Sequence, residues 1–141
     1  ETLMRKRASR CAENYGPQAL LVSAELARID GRSSEALELY DQAIEAARTS
    51  GMLSVEAQAH ELAFRFHLGL GRRTIADAYL LEALYTYERW GAIGKVNELT
   101  RTQSQRLRSW RLRATRQRTR LHHRRRINGG CSGRVRRRRK R

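Results

Sequence analysis

"GRSSEALELYDQAIEAA" (residues 31–47) and "GRRTIADAYLLEALYTY" (residues 71–87) stand forty positions apart and open alike. Gly31 and Arg32 answer to Gly71 and Arg72, Ala36 to Ala76, Tyr40 to Leu80, and Ala43 to Ala83. In both stretches small and large apolar residues return at intervals of three and four. A strand alternates its faces every second residue, whereas this spacing lines one face of a helix. The pair predicts an all-α chain built from recurring helices.

Glycines also stand at 51 and 91, so a helix stop recurs at every twentieth position from Gly31. Glycine accepts the left-handed conformation that ends many helices. Between the stops the spacing predicts helices over about 17–30, 33–49, 54–70 and 74–89. The second has the stripe Ala36, Leu37, Tyr40, Ala43, Ile44 and Ala47. The third has Val55, Ala59, Leu62, Ala63, Phe66 and Leu70, and the fourth Ile75, Ala76, Tyr79, Leu80, Ala83, Leu84 and Tyr87. Pro17 suits a first helical position, where its missing N–H costs nothing. Ser33 or Ser34, Ser54 and Thr74 are the candidate N-caps, and Thr74 with Asp77 has capping-box spacing. An earlier helix is expected to end near Cys11, because Met4, Ala8 and Cys11 share a face. A further one is expected to start near Gly94 or Lys95.

The helices pair into two units, about 17–50 and 54–90. Small, large and small residues in sequence let the helices of a hairpin approach closely, so Ala24, Ala36, Tyr40, Ala43, Ala76, Leu80 and Ala83 are the expected contact residues. This pattern resembles tetratricopeptide repeats, lengthened by about six residues over their usual 34 or so. Each hairpin leaves an apolar face for its neighbours to cover, which predicts one continuous apolar seam. Such arrays need about three or more repeats, so the chain reads as part of a longer solenoid. A first residue of Glu1 rather than Met fits that reading.

Charge divides the chain. All 14 acidic residues lie in 1–98 with 12 basic ones, a balance of −2, while 100–141 has 18 basic residues and no acid. Cys11 and Cys131 have no partners at metal-ligand spacing and give no disulfide framework, so a reducing, cytoplasmic compartment is expected. No apolar run approaches the ~20 residues that cross a bilayer, and no signal peptide is visible.

With these features, "ENYGPQALLVSAELARIDG", "ALELYDQAIEAARTSG" and "AQAHELAFRFHLGLGRRTIADAYLLEALYTYERWGAIGKV" resemble the helical region of very large multi-domain signalling kinases of bacteria and fungi. Those proteins join a serine/threonine-kinase-like domain, a predicted ATPase, a long tetratricopeptide-like region, a GAF sensor and often a histidine kinase. The resemblance covers roughly Glu13 to Leu99. Its most specific parts are A-E-x-A-R at Ala24–Arg28, L-Y-D-x-A-I at Leu39–Ile44, H-E-L-A at His60–Ala63, and Y-x-x-W-G-A at Tyr87–Ala92 with Lys95. It implies a scaffold just before the sensor domain, with no catalytic residue, cofactor or metal, in a full-length ATP-dependent protein kinase of a two-component system. The chain departs from the family in lacking a proline near Ala12, and the match stops after Leu99.

Motifs that invite chemistry resolve into packing. "HEL" at 60–62 resembles a phosphoacceptor box, yet it continues into Ala63, Phe64 and Arg65 rather than R-T-P, so His60 is expected at a helix interface. "WGAIGKV" lacks the first glycine and the hydroxyl of a phosphate-binding loop. His60 and His67 lack the partners that a metal site needs. Tyr79, Tyr85 and Trp90, with Tyr87, either fill a groove between hairpins or form a protein-docking face. Arg65, Arg72, Arg73 and Arg89 read as a solvated face paired with Glu61, Glu82 or Glu88.

From Val96 to Trp110 an amphipathic helix is expected to continue, so 100–141 reads as helical to about 113 and disordered beyond. Residues 1–12 read as the end of a preceding helix and 13–99 as the repeats. The tail has three readings. Arg124, Arg125, Arg126, Arg136, Arg137, Arg138 and Arg139 are candidate polyanion contacts of a nucleic-acid arm. The same charges favour an anionic membrane surface by about 1 kcal/mol per basic residue. Seventeen arginines against one lysine, beginning where the family match ends, also fit a shifted reading frame in a GC-rich gene, and this third reading is preferred. The sequence therefore predicts a non-catalytic helical-repeat scaffold, its partners other domains of the same polypeptide or a separate protein. The rival is a small nucleic-acid-binding protein.

Overall fold

The computed structural model describes residues 12–109. They are helical throughout apart from short turns, and no strand occurs among the described residues. Five helices follow in order: α1 Ala12–Ile29, α2 Ser33–Thr49, α3 Leu53–Gly69, α4 Arg73–Trp90 and α5 Ile93–Thr102. The chain divides into two compact units after Ser104; residues 105–109, which are also helical, belong to the second. The helix expected to end near Cys11, the tail beyond Ser109 and all seven candidate polyanion arginines lie outside the described residues.

One turn joins each consecutive pair from α1 to α5. Gly31, Gly51, Gly71 and Gly91 have φ of 76°, 68°, 72° and 82°, a region where a side chain would crowd the backbone. The next residue's N–H then reaches back five residues. Arg32 donates to the Ala27 carbonyl at 2.9 Å, Met52 to Ala47 at 2.8 Å, Arg72 to His67 at 3.0 Å and Ala92 to Tyr87 at 2.9 Å. Each glycine N–H donates three residues back, to Arg28, Arg48, Leu68 and Glu88. Together these bonds are the Schellman arrangement, which satisfies carbonyls that a helix end leaves bare.

The same four residues also begin the next helix. Arg32, Met52, Arg72 and Ala92 have φ from −86° to −80° and ψ from 58° to 73°, the values of an inverse γ-turn. The glycine carbonyl accordingly accepts the N–H two residues on, from Ser33, Leu53, Arg73 and Ile93 at 2.9–3.1 Å. This corrects the expected caps. The N-cap residues are Arg32, Met52, Arg72 and Ala92, none with a side-chain cap bond. Ser33, Ser34, Ser54 and Thr74 stand inside the first helical turns, because the glycine carbonyl already takes the first free N–H. Pro17 is also corrected: α1 starts at Ala12, so Pro17 lies inside the helix, fully buried.

Packing follows the pairing of neighbours in sequence. The largest interfaces are α1 with α2 and α3 with α4; α2 meets α3 more sparingly, and α1 also touches α3. Ala24, Ala36, Tyr40, Ala43, Ala76, Leu80 and Ala83 are all buried, at 0–1% exposure. Alanine lets helix backbones approach, and it loses almost no side-chain entropy on burial. Of the expected stripes, Leu70 and Ile75 turn out exposed. Ile75 lies on the first turn of α4 and Leu70 just past the end of α3, where the chain passes through its turn.

Among the described residues, two clusters of buried apolar side chains stand out. One gathers Leu21, Ala24, Ala36, Tyr40, Ala43, Ile44, Val55, Ala59 and Ala63 among others from α1, α2 and α3. The other joins Ala57, Ala83, Tyr87 and Leu99 from α3, α4 and α5. The buried polar residues Glu56, His60, Glu61, His67, Asp77 and Thr86 all lie on α3 and α4. Helix α3 is buried on two faces, and its stripe of Val55, Ala59 and Ala63 accounts for only one of them. The other mixes Ala57 and Phe64 with His60, Glu61 and His67, so the apolar stripe alone does not reveal it.

Nothing stands within 4 Å of a Cβ built on Gly71, so the cost of substitution there is purely conformational. Gly71→Ala is expected to destabilise by about 1 kcal/mol, measured as a lower urea midpoint with unchanged slope. An unchanged midpoint would contradict the left-handed turn.

Candidate functional site

Two carboxylates organise the hairpins. On α1, Glu25 accepts from Arg28 Nε at 3.1 Å and Nη2 at 2.8 Å, and from the Tyr40 hydroxyl of α2. On α3, Glu61 accepts from the Tyr87 hydroxyl of α4 at 2.7 Å, from Arg65 Nη2 at 2.5 Å and from Lys95 Nζ of α5 at 3.2 Å. Each hairpin is thus fastened by a tyrosine hydroxyl crossing to a carboxylate on its first helix, with an arginine holding the same carboxylate. Lys95 extends the second fastening to α5, and its ammonium lies 5.9 Å from the Tyr87 ring centre.

Electrostatics follow from this geometry. Burial raises the Glu25 pKa, but the bonds from Arg28 and Tyr40 and the charges of Arg28 and Arg65 outweigh it and hold the carboxyl below its ordinary value. Its contribution to stability is present above the ordinary carboxylate range and is lost as the pH falls through the lowered value. Burial, then the bond to a carboxylate, pushes the phenols of Tyr40 and Tyr87 well up.

Glu25 and Arg28 lie in the A-E-x-A-R stretch, Tyr40 in L-Y-D-x-A-I, Glu61 in H-E-L-A, and Tyr87 in Y-x-x-W-G-A with Lys95. These four short stretches therefore carry the fastenings. The pairing of Arg65 with Glu61 was expected from its local spacing. The bonds of Tyr40 to Glu25 and of Tyr87 and Lys95 to Glu61 were not, because partners 15, 26 and 34 residues apart leave no local periodic signal.

Beside the first fastening lies an open groove of about 480 Å³ between α1 and α3. Leu62, Phe66 and Leu70 give it apolar walls, and Glu25, Arg28 and Arg65 give it polar ones. The side chains of Arg28 and Arg65 are 41% and 58% exposed. Tyr79, Tyr85 and Trp90, read either as filling between hairpins or as a docking face, do not share one surface. Tyr79 is half-buried, stacked on His67 at 5.1 Å and bonded through its hydroxyl to Asp41 at 2.6 Å. Tyr85 is exposed, with Arg89 5.6 Å from its ring centre, and Trp90 is exposed at the end of α4. Six residues turn Tyr85 about 120° around the helix from Tyr79.

His60 is buried at 4% exposure and approaches Tyr79 at 5.9 Å, so its ring is not accessible to a kinase domain. Lys95 of "WGAIGKV" is engaged by Glu61 and Glu98. Among the described residues no group of three or more His, Cys, Asp or Glu is placed to hold a metal. No described helix is long and apolar enough to cross a membrane. No protein-family model, curated protein or solved structure matches the chain.

Removing one hydroxyl separates the two fastenings. Tyr87→Phe deprives a buried carboxylate of a donor and is expected to cost about 1.5 kcal/mol. Tyr40→Phe, beside the more accessible Glu25, should cost about half as much. Urea unfolding of both variants checks the order, and equal losses would contradict it.

Proposed function

We propose that this chain is a non-catalytic helical-repeat scaffold and interaction segment of a cytoplasmic multi-domain signal-transduction kinase, placed between an ATPase and a sensor domain. Its repeats are tetratricopeptide-like hairpins, α1–α2 and α3–α4. The observation that carries the reading is the fourfold recurrence of one glycine turn at twenty-residue intervals. A recurring turn produces a stack of helices, and a stack transmits position rather than chemistry. The fastening of both hairpins at the stretches that resemble the kinase family supports the same reading.

The groove between α1 and α3 is the docking face of this segment. Apolar walls beside two guanidinium groups suit a protein segment with a bulky apolar side chain next to a carboxylate. The arginine-rich tail supports the second reading, a nucleic-acid arm, since 18 positive charges without an acid bind polyanions with steep salt dependence.

One set of full-length variants separates the two. A labelled peptide of alternating Glu and Leu is titrated at near-physiological salt into the parent chain. It is titrated in parallel into Arg28→Ala/Arg65→Ala, and into a chain with Arg124–126 and Arg136–139 changed to glutamine. Docking in the groove predicts binding weakened about tenfold or more by the first change, with little effect of the second. Binding that disappears only with the tail arginines would contradict the groove and favour the polyanion arm.

A further inference from the structure

The interface that joins α3 to α2 and α4 contains two imidazoles without the partners that buried polar groups normally have. His60 and His67 are 4% and 6% exposed. Neither His60 Nδ1 nor His60 Nε2 has a hydrogen-bond partner, and His67 Nδ1 has none. Tyr79 of α4 covers both rings, stacked on His67 and tilted against His60. A neutral imidazole tolerates such a place at moderate cost, whereas an imidazolium there needs an acceptor for each N–H.

The charges that face the pair come from α2, α3, α4 and the turn before α4. Asp41 and Arg48 of α2, Glu56 of α3 and Glu82 of α4 surround His60; Asp41 and Arg72, in the turn before α4, face His67. The nearest carboxylates are already engaged. Glu56 stands 4.0 Å from His60 Nε2 but accepts from Arg48 Nε at 3.1 Å, and Asp41 accepts from the Tyr79 hydroxyl. A proton added to either ring must therefore take a carboxylate from its present donor or draw in water.

We propose that His60 and His67 form an acid-sensitive catch inside the second hairpin, between α3 and Tyr79 of α4, closed when both rings are neutral and released when they take up protons. Release loosens α3 from Tyr79, whose hydroxyl also bonds Asp41 of α2, so mild acid softens the second hairpin and its tie to α2. This inference does not depend on the docking groove or on the kinase reading. Its direction follows from burial, which for both rings outweighs the nearby carboxylates and lowers the pKa below the ordinary 6.5. Stability from the neutral rings is complete above about 6.5 and is lost as the pH falls from there through the lowered folded values. Each pH unit of lowering costs the folding equilibrium constant about tenfold per histidine in acid.

The test has two arms on the full chain. In a His122→Gln/His123→Gln chain only His60 and His67 remain, and their Cε1–H resonances are followed against pH by NMR. Both midpoints are expected below 6.5. In the second arm, urea midpoints between pH 7.5 and 5 are compared for that chain and for one with His60→Gln and His67→Gln added. The first should lose stability towards acid, and the second should lose markedly less. Midpoints at or above 6.5, or parallel losses in the two chains, would overturn the proposal. Should the glutamine variant fail to fold, the NMR midpoints decide alone.

Discussion

A backbone that reverses direction within three residues must satisfy the carbonyls it leaves behind and start a helix at once. Left-handed glycine followed by an inverse γ-turn does both. The arrangement fixes where each helix begins, and therefore which residues face the neighbouring helix. The carbonyls that anchor the turns belong to Ala27, Ala47, His67 and Tyr87, which are all buried. Each turn is thus tied into the interior by the hydrogen bond that closes it. Side-chain caps are dispensable at these starts, which is why the hydroxyl residues there remain uncommitted.

With the turns fixed, chemistry differentiates the interfaces. The first hairpin closes over alanines, with Tyr40 tied to Glu25 at its edge. The second places histidines, carboxylates and a threonine between α3 and α4, and Glu61 alone gathers donors from α3, α4 and α5. Such an interface depends on its partners, because a buried carboxylate that loses its donors is costly. The second hairpin is therefore where single polar substitutions and protons should act most strongly, and the first is where changes of volume should.

Much of this was legible in the sequence, for a physical reason. Helical spacing and glycine stops are local signals, and they located the helices of 33–49 and 73–90 within a residue or so. The burial of Ala24, Ala36, Ala43, Ala76 and Ala83 was legible too, from their recurrence on one helical face. Non-local polar pairing was not. Glu25 with Tyr40, and Glu61 with Tyr87 and Lys95, leave no period to detect. The second buried face of α3 was legible only in part: His60 was placed at a helix interface, whereas Glu61 was read as a partner of solvated arginines and not as a residue that α4 covers. The groove escaped because α1 and α3 are neighbours in space but not in sequence. The N-caps were misassigned because a serine two residues past a glycine resembles a cap, whereas here the glycine carbonyl has that role.

The recurring turn is tested most directly by native-state hydrogen exchange at four loop amides. Arg32, Met52, Arg72 and Ala92 all lie between helices, and Arg32 and Arg72 are exposed residues, where amides ordinarily exchange fast. Their N–H groups nonetheless bond to buried carbonyls. The account predicts protection of all four, comparable with that of the adjoining helical residues and spaced twenty apart along the chain. Exchange at unprotected rates at Met52 and Arg72, while α2, α3 and α4 stay protected, would contradict it.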